Sequence, residues 1–374
     1  MARNISDLNT PCFLVDFDKV RENCQRMVKT CIDFGVKLRP HTKTHKTVEA
    51  AVLQTDGTKR CITVSTLAEA EFYAENGFDD ILVARPVSED KIHRYLALVQ
   101  KLEKLHIMVS GSDGLTTLEN HIPDLPEDKV WSVVLELDAG YGRTGFSCDD
   151  PEVILEAAKK VQQSPKMRLE KLYYHCGNSY HVNTEPEREK LQADHIKKVA
   201  KVQDRLSQAG VTCSSGVGST PTCSKPIKDN LFFTEFHPGN YVFYDYQQYL
   251  LNSCAESSIA CRVMTRVIAH KPEKNMILVD CGFTALSHDG KYQRLPDNDF
   301  CIIQGESNLR LIDMSQEIGK IVAKEGDLNY KLYPVGTVLF ILPFHSCATS
   351  QQHAVYYVHR GNEVITTWKP VKGW

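Results

Sequence analysis

No stretch of the 374 residues is apolar enough, for long enough, to cross a bilayer. The opening segment MARNISDLNTPCFLVDF also lacks an apolar run followed by a small-residue cleavage site. A membrane-spanning or secreted protein is therefore not expected, and the cytoplasm is. A charge excess is missing too. The 44 Lys+Arg against 47 Asp+Glu leave a net charge of −3, which is not the polyelectrolyte character of a nucleic-acid coat. The 13 cysteines are numerous but lack paired spacing; odd in number and scattered singly, they read as reduced thiols and not as a disulfide framework. Long repeats, low-complexity segments and linker composition are absent as well.

What is present is an alternation. From residue 11 to about 240, short apolar runs (CFLVDF, GVKLRPH, CITVST, DILVAR, HIMVSG, VWSVVLELD, LEKLYYHCG, SSGVGST) alternate with amphipathic stretches of helical length. Several of those stretches stop at glycine. Roughly eight such units predict a (β/α)8 TIM-like barrel over residues 11–250, with an open doubly wound sheet as the alternative. After about residue 250 the runs SIACRVMTRVIAH, NMILVDCGF, TVLFILPFHSC, AVYYVHRG and EVITTWKPV are β-branched and aromatic, with few helices between them. Residues 251–374, with the possible addition of residues 1–10, are expected to form an antiparallel β domain. A cleft where the barrel mouth meets it is the expected ligand site.

The octet RPHTKTHK (39–46) places five basic side chains after the first barrel strand. Strand alternation puts Lys37, Arg39, His41 and Lys43 on one face, facing the barrel interior, and Val36, Leu38, Pro40 and Thr42 on the other. Lys43 then lies at the C-terminal mouth, where barrel enzymes place their chemistry. Lys46, beyond the strand, is expected to reach into solvent. Cationic neighbours would favour the free amine of Lys43, the form that exchanges imines. A solvated basic turn is the bland alternative for the octet by itself.

Together with ELDAGYGRTG (136–145), YYHCGNSY (173–180), GVGSTPTC (216–223), EFHPGNYVFYD (235–245) and PFHSCATS (343–350), the octet resembles the alanine-racemase-like fold of pyridoxal-phosphate (PLP) enzymes. Among these it is similar to the metal-dependent D-serine dehydratase family and its D-threonine aldolase relatives. The resemblance covers nearly the whole chain, with the motifs in family order. It implies Lys43 as the Schiff-base lysine that later moves a proton at the substrate α-carbon. It also implies a phosphate cup from Ser219, Thr220, Gly239 and Asn240. The resemblance further implies Tyr173 against the cofactor ring, with His175 on the same strand face and Tyr180 nearby, and Arg143 near the phenolic oxygen.

Two positions depart from the racemase pattern. His237 stands where racemases carry an arginine, and Glu136 where they commonly carry a lysine; both argue against simple racemisation. His345 and Cys347, two residues apart on an expected strand, project from one face as metal ligands should, and imidazole plus thiolate selects Zn2+. Cys176, Cys223 and His181 are further candidates for the metal. The resemblance implies β-elimination from D-serine by a homodimer. Three alternatives stay open: retro-aldol cleavage of D-threonine and other 3-hydroxy D-amino acids, a non-catalytic PLP-binding protein, and a nucleic-acid binder.

Overall fold

The computed structural model describes residues 3–290 and 300–374. The chain divides into two compact units, one of Gln25–Gly239 with Val371–Trp374, the other of Met1–Cys24 with Asn240–Pro370.

In the first unit the strands Lys37–Leu38, Ile62–Val64, Asp80–Val83, Lys104–Val109, Trp131–Asp138, Met167–His175, Ser214–Gly218 and Glu235–Phe236 are parallel and pair in that order. The ring closes because Glu235 pairs with Lys37 and a parallel bridge joins His41 to Thr63. The helices between strands begin where the sequence supplies a cap. Thr66 accepts from the Glu69 amide, Asp150 precedes Pro151 and accepts from the Val153 amide, and Thr184 with Glu187 forms a capping box. Gly35, Gly77 and Gly210 follow helices at positive φ, as helix stops require.

Alternation along the strands stratifies the barrel interior. Asp80, Leu82 and Ala84 ascend one strand, His106, Met108 and Ser110 the next, then Ser132, Val134 and Glu136, then Lys171, Tyr173 and His175. The middle members Leu82, Met108, Val134 and Tyr173 pack as one apolar cluster. Beneath it lies an ionic floor. Arg39 reaches Asp80 Oδ1 at 2.5 Å and Glu235 Oε1 at 3.0 Å, and Lys171 Nζ lies 2.5 Å from the same Glu235 oxygen. Burial would raise the Glu235 carboxyl, but Arg39, His237 and Lys171 hold it well below its ordinary value.

The second unit is an antiparallel sheet built around Cys261–Lys271, which pairs with Met276–Val279 and Val338–Pro343. Cys12–Asp16 also pairs with Cys261–Lys271 and lies parallel to Tyr356–Arg360. CFLVDF is therefore not a barrel strand, and the division at 239/240 with residues up to 24 differs from the expected 11–250 barrel. The physical reason is that Phe13, Leu14 and Val15 are all fully buried. A strand buried on both faces carries the same apolar run in either kind of sheet. All thirteen cysteines fall among the described residues and none is in a disulfide, and no helix there is long and apolar enough to cross a membrane.

The ionic floor makes a stability prediction. Arg39→Met leaves Asp80 with the neutral His106 and the Cys61 thiol but no cation bonded to it, and removing one partner of a buried pair costs about 3–5 kcal/mol. Arg39→Met/Asp80→Leu leaves the balanced Lys171–Glu235 pair, so the double variant is expected to unfold at higher urea than Arg39→Met alone.

Candidate active site

The chain leaves the first strand after Leu38 and turns as a 3-10 helix over Thr42–Thr44. Alternation holds for Arg39 and His41, which are buried inside, but Lys37 at the strand start is exposed. The orientation of Lys43 is set by the turn and not by strand parity. His41 caps that turn: its Nδ1 accepts from the Lys43 amide at 3.3 Å. The proton of the neutral ring is thereby on Nε2, which lies 3.3 Å from Ser65 Oγ. Lys46 does not reach into solvent, contrary to expectation. Its side chain is 12% exposed and Nζ lies 3.2 Å from Glu69 Oε1 on a carboxylate that is 1% exposed. A nearby buried carboxylate, invisible in the local sequence, draws the amine inward.

Around the mouth, Tyr173 and His175 share one face of their strand, while Tyr174 points away to His195. The Tyr173 ring meets His237 edge-on at 4.7 Å. His237 Nε2 lies 3.0 Å from Glu235 Oε1, and an added Cβ at Gly216 would come within 2.3 Å of that nitrogen. Arg143 is delivered by a loop wound on Asp138, whose carboxylate accepts from the amides of Gly140, Tyr141 and Gly142 at 2.7–2.9 Å. Arg143 NH2 lies 3.4 Å from Glu136 Oε1, and Ser110 donates to the other oxygen at 2.5 Å. Ser219 follows the strand Ser214–Gly218 and meets Ser179 Oγ at 3.0 Å, on the same short turn as the partly buried Tyr180.

Burial keeps the histidines of this mouth neutral. His41 and His175 are held well below 6.5 by burial first and the Lys43 charge second, and burial brings His237 down to about 4. Arg143 is the fixed cation that both His41 and His175 feel besides Lys43.

The site residues of the second unit form a separate group. His345 and Cys347 are not on a strand: Val338–Pro343 ends before them, His345 is the N-cap of the helix Ser346–Gln352, and Cys347 lies in its first turn. Proline and the following turn end the strand that the apolar run suggested. The two side chains nevertheless meet, hydrogen-bonded to each other. Asp289 Oδ2 lies 2.5 Å from His345 Nδ1. Burial opposes the imidazolium, but Cys347 and Asp289 outweigh it and raise the imidazole well above its ordinary value. Asp245, fully buried, accepts from the Ser346 amide at 2.8 Å and from Asn240 Nδ2 at 2.5 Å. Asn240 also approaches Ser346 Oγ at 3.0 Å and Cys347 Sγ at 3.6 Å, so its side chain belongs to this turn. Cys176 and Cys223 stay thiols, raised by burial, and Cys223 donates to Val217 O. Among the described residues no group of three His, Cys, Asp or Glu could hold a metal ion.

Both sets fit the groups they were expected to hold. Thr220 Oγ1 and His237 Nδ1 are buried with no hydrogen-bond partner among the described residues, and Gly218 and Gly239 leave a Cβ only 3.0 Å from Tyr173 Oη and His41 O. An anionic ester with polar ring atoms suits such a mouth. Imidazole and thiol in contact, the imidazole braced by a carboxylate, suit a borderline-soft cation. Sequence reasoning missed Glu69, Asp245 and Asp289. Glu69 left a local signal in the Thr66-x-x-Glu69 capping pattern, and Asp245 one as the N-cap of Tyr246–Leu250.

Comparison with known proteins finds relatives along the whole chain. The "Alanine racemase, N-terminal domain" family matches residues 15–247 and the "Putative serine dehydratase domain" family residues 260–359. The chain is 33% identical to a D-serine dehydratase of Dictyostelium discoideum, over 99% of this chain and 98% of that one. It is 30% identical to the D-threo-3-hydroxyaspartate dehydratase of Delftia sp., over the full length of both. The solved structure of that dehydratase superposes with a TM-score of 0.92, covering 99% of this chain and all of that one. Solved forms of it include a histidine-to-alanine variant and a cysteine-to-alanine variant, the latter metal-free. A 3-hydroxy-D-aspartate aldolase of Paracoccus denitrificans is 26% identical over 97% of this chain and 92% of that one.

His45 provides a pH test. Its Nδ1 accepts from the Thr47 amide at 3.1 Å and its Nε2 donates to Gln54 Oε1 at 2.9 Å, and burial brings the ring down to about 4. The folded value lies below the unfolded value of about 6.5, so the stability this neutral ring confers is complete above pH 6.5. It is lost as pH falls from there toward 4. His45→Gln is expected to flatten the fall in thermal midpoint between pH 7 and pH 5.

Proposed function

The chain belongs to the D-serine dehydratase family, in which an alanine-racemase-type barrel precedes a serine dehydratase domain, and on that premise we propose PLP-dependent dehydration of D-serine. The products are pyruvate and ammonia, zinc is the second cofactor, and the active form is a homodimer. The observation that carries this reading is the full-length likeness to a D-serine dehydratase, in a chain that also brings His345 and Cys347 into contact.

Ser219, Thr220, Gly239 and the backbone of Asn240 would hold the cofactor phosphate, and Tyr173, His175, Tyr180, Arg143 and His237 would surround its ring. Bound there, PLP supplies an electron sink for the α-carbon, and zinc on His345 and Cys347 supplies Lewis acidity for a departing hydroxyl. Lys43 removes the α-proton as a free amine. The neutral rings of His41 and His175 add no positive charge beside it. His237, also neutral and turned to Glu235, replaces the permanent cation of racemases with a weaker donor. The α-proton and the β-hydroxide that leave together make up the one water released. The resulting 2-aminoacrylate hydrolyses to pyruvate and ammonia.

PLP-reconstituted protein is expected to release pyruvate from D-serine, to stop on chelation and to resume on zinc addition. Lys43→Ala is expected to abolish release and the visible absorbance of the lysine–cofactor imine. His345→Ala and Cys347→Ala are expected to lose zinc by elemental analysis while keeping that absorbance. Release untouched by chelation would remove the metal from the reading. Glycine from D-threonine without pyruvate from D-serine would replace it with aldol cleavage.

A further inference from the structure

Lys46 has φ +53°, a left-handed conformation that is strained for a non-glycine residue. Its amide closes the turn that carries Lys43, donating to Thr42 O at 2.9 Å. Its amine is drawn to Glu69, a fully buried carboxylate that also accepts from the Ser65 amide at 3.3 Å and from the Thr66 hydroxyl at 3.3 Å. Ser65 Oγ meets the His41 ring, whose other nitrogen accepts the Lys43 amide. Glu69 thus grips the loops after the first and second barrel strands at once. A third hold comes from far along the chain. The Val371 amide donates to Lys46 O at 2.8 Å. Arg94, paired with Glu71 at 2.7 Å on the helix that bears Glu69, donates to Trp374 O at 2.7 Å.

We propose that Lys46 and Glu69 are a positioning pair for Lys43, and that residues Val371–Trp374 complete it by clamping the backbone of Lys46. The pair touches no reacting atom. It fixes the turn from which the Lys43 amine is aimed, and a misplacement of about 1 Å there can cost on the order of a hundredfold in rate. The inference rests on the reading of Lys43 as the cofactor lysine.

The test uses the full-length, PLP- and zinc-loaded protein with Glu69→Gln, Lys46→Met and Lys46→Arg, and a chain stopped after Pro370. Glu69→Gln is nearly isosteric and keeps an acceptor for Ser65, so it addresses the charge pair without emptying the site. Expected are a fall in kcat for pyruvate release of about tenfold or more in Glu69→Gln and Lys46→Met, and a shifted pH titration of the imine absorbance. KM and zinc content should stay within about twofold of the parent, and Lys46→Arg should recover most of the rate. The shortened chain should show the same signature. Parental kcat and imine titration in Glu69→Gln, with only a lowered thermal midpoint, would overturn the proposal and leave the pair structural. Failure of the underlying reading looks different: Lys43→Ala would keep the imine absorbance.

Discussion

The contact on which the barrel depends is Arg39 to Glu235. It joins the first strand to the last inside the closed ring, 3.0 Å apart and out of solvent. Neither charge could stay buried alone. The cluster is balanced because Asp80 answers the second face of Arg39 and Lys171 the second side of Glu235. Two site residues then follow from it. His237, two positions after Glu235, turns a nitrogen to that same carboxylate oxygen, in space that Gly216 leaves open. Lys43 stands four positions after Arg39, where the chain has already left the strand and entered its capped turn.

The two units use one device. In each, a buried carboxylate holds the backbone of a turn that presents the chemical side chains. Glu69 holds the loops beside Lys43. Asp245 accepts from the Ser346 amide between His345 and Cys347, from Asn240 and from the Gln248 amide. Such carboxylates are costly to bury, and burial raises both. Hydrogen bonds from two separate segments in each case offset that cost and make the turn a single shape. A reactive side chain on a loop gains a fixed direction this way, where alternation in a strand would have supplied it automatically.

The alternation of strands and helices was legible because each barrel strand is short and each helix carries its own cap and stop, as at Thr184 and Gly210. Cys12–Asp16 was misplaced because a strand buried on both faces has no pattern that tells its partners. The motif residues Tyr173, His175 and His237 were found on one wall because strand parity is local. Lys46 was misread and Glu69 and Asp245 were missed because partners that fix them lie tens of residues away. Lys46 looked like a solvent lysine until Glu69 was beside it.

The H-x-C pair has a different geometry from the strand expected for it. Residues i and i+2 of a strand are spaced about 6.6–7 Å along it, and their side chains stand nearly parallel. Ligands of one zinc must bring nitrogen and sulfur to about 2.1 and 2.3 Å from a common point. A strand tolerates that only by bending both side chains inward. At the start of a helix the chain direction changes between His345 and Cys347, and the two side chains meet without such bending, close enough to hydrogen-bond. Asp245 fixes the change of direction through the Ser346 amide, and Asp289 fixes the imidazole through Nδ1, leaving Nε2 as the nitrogen available to a cation. The convergence that metal binding requires therefore comes from the end of the strand, not from the strand itself.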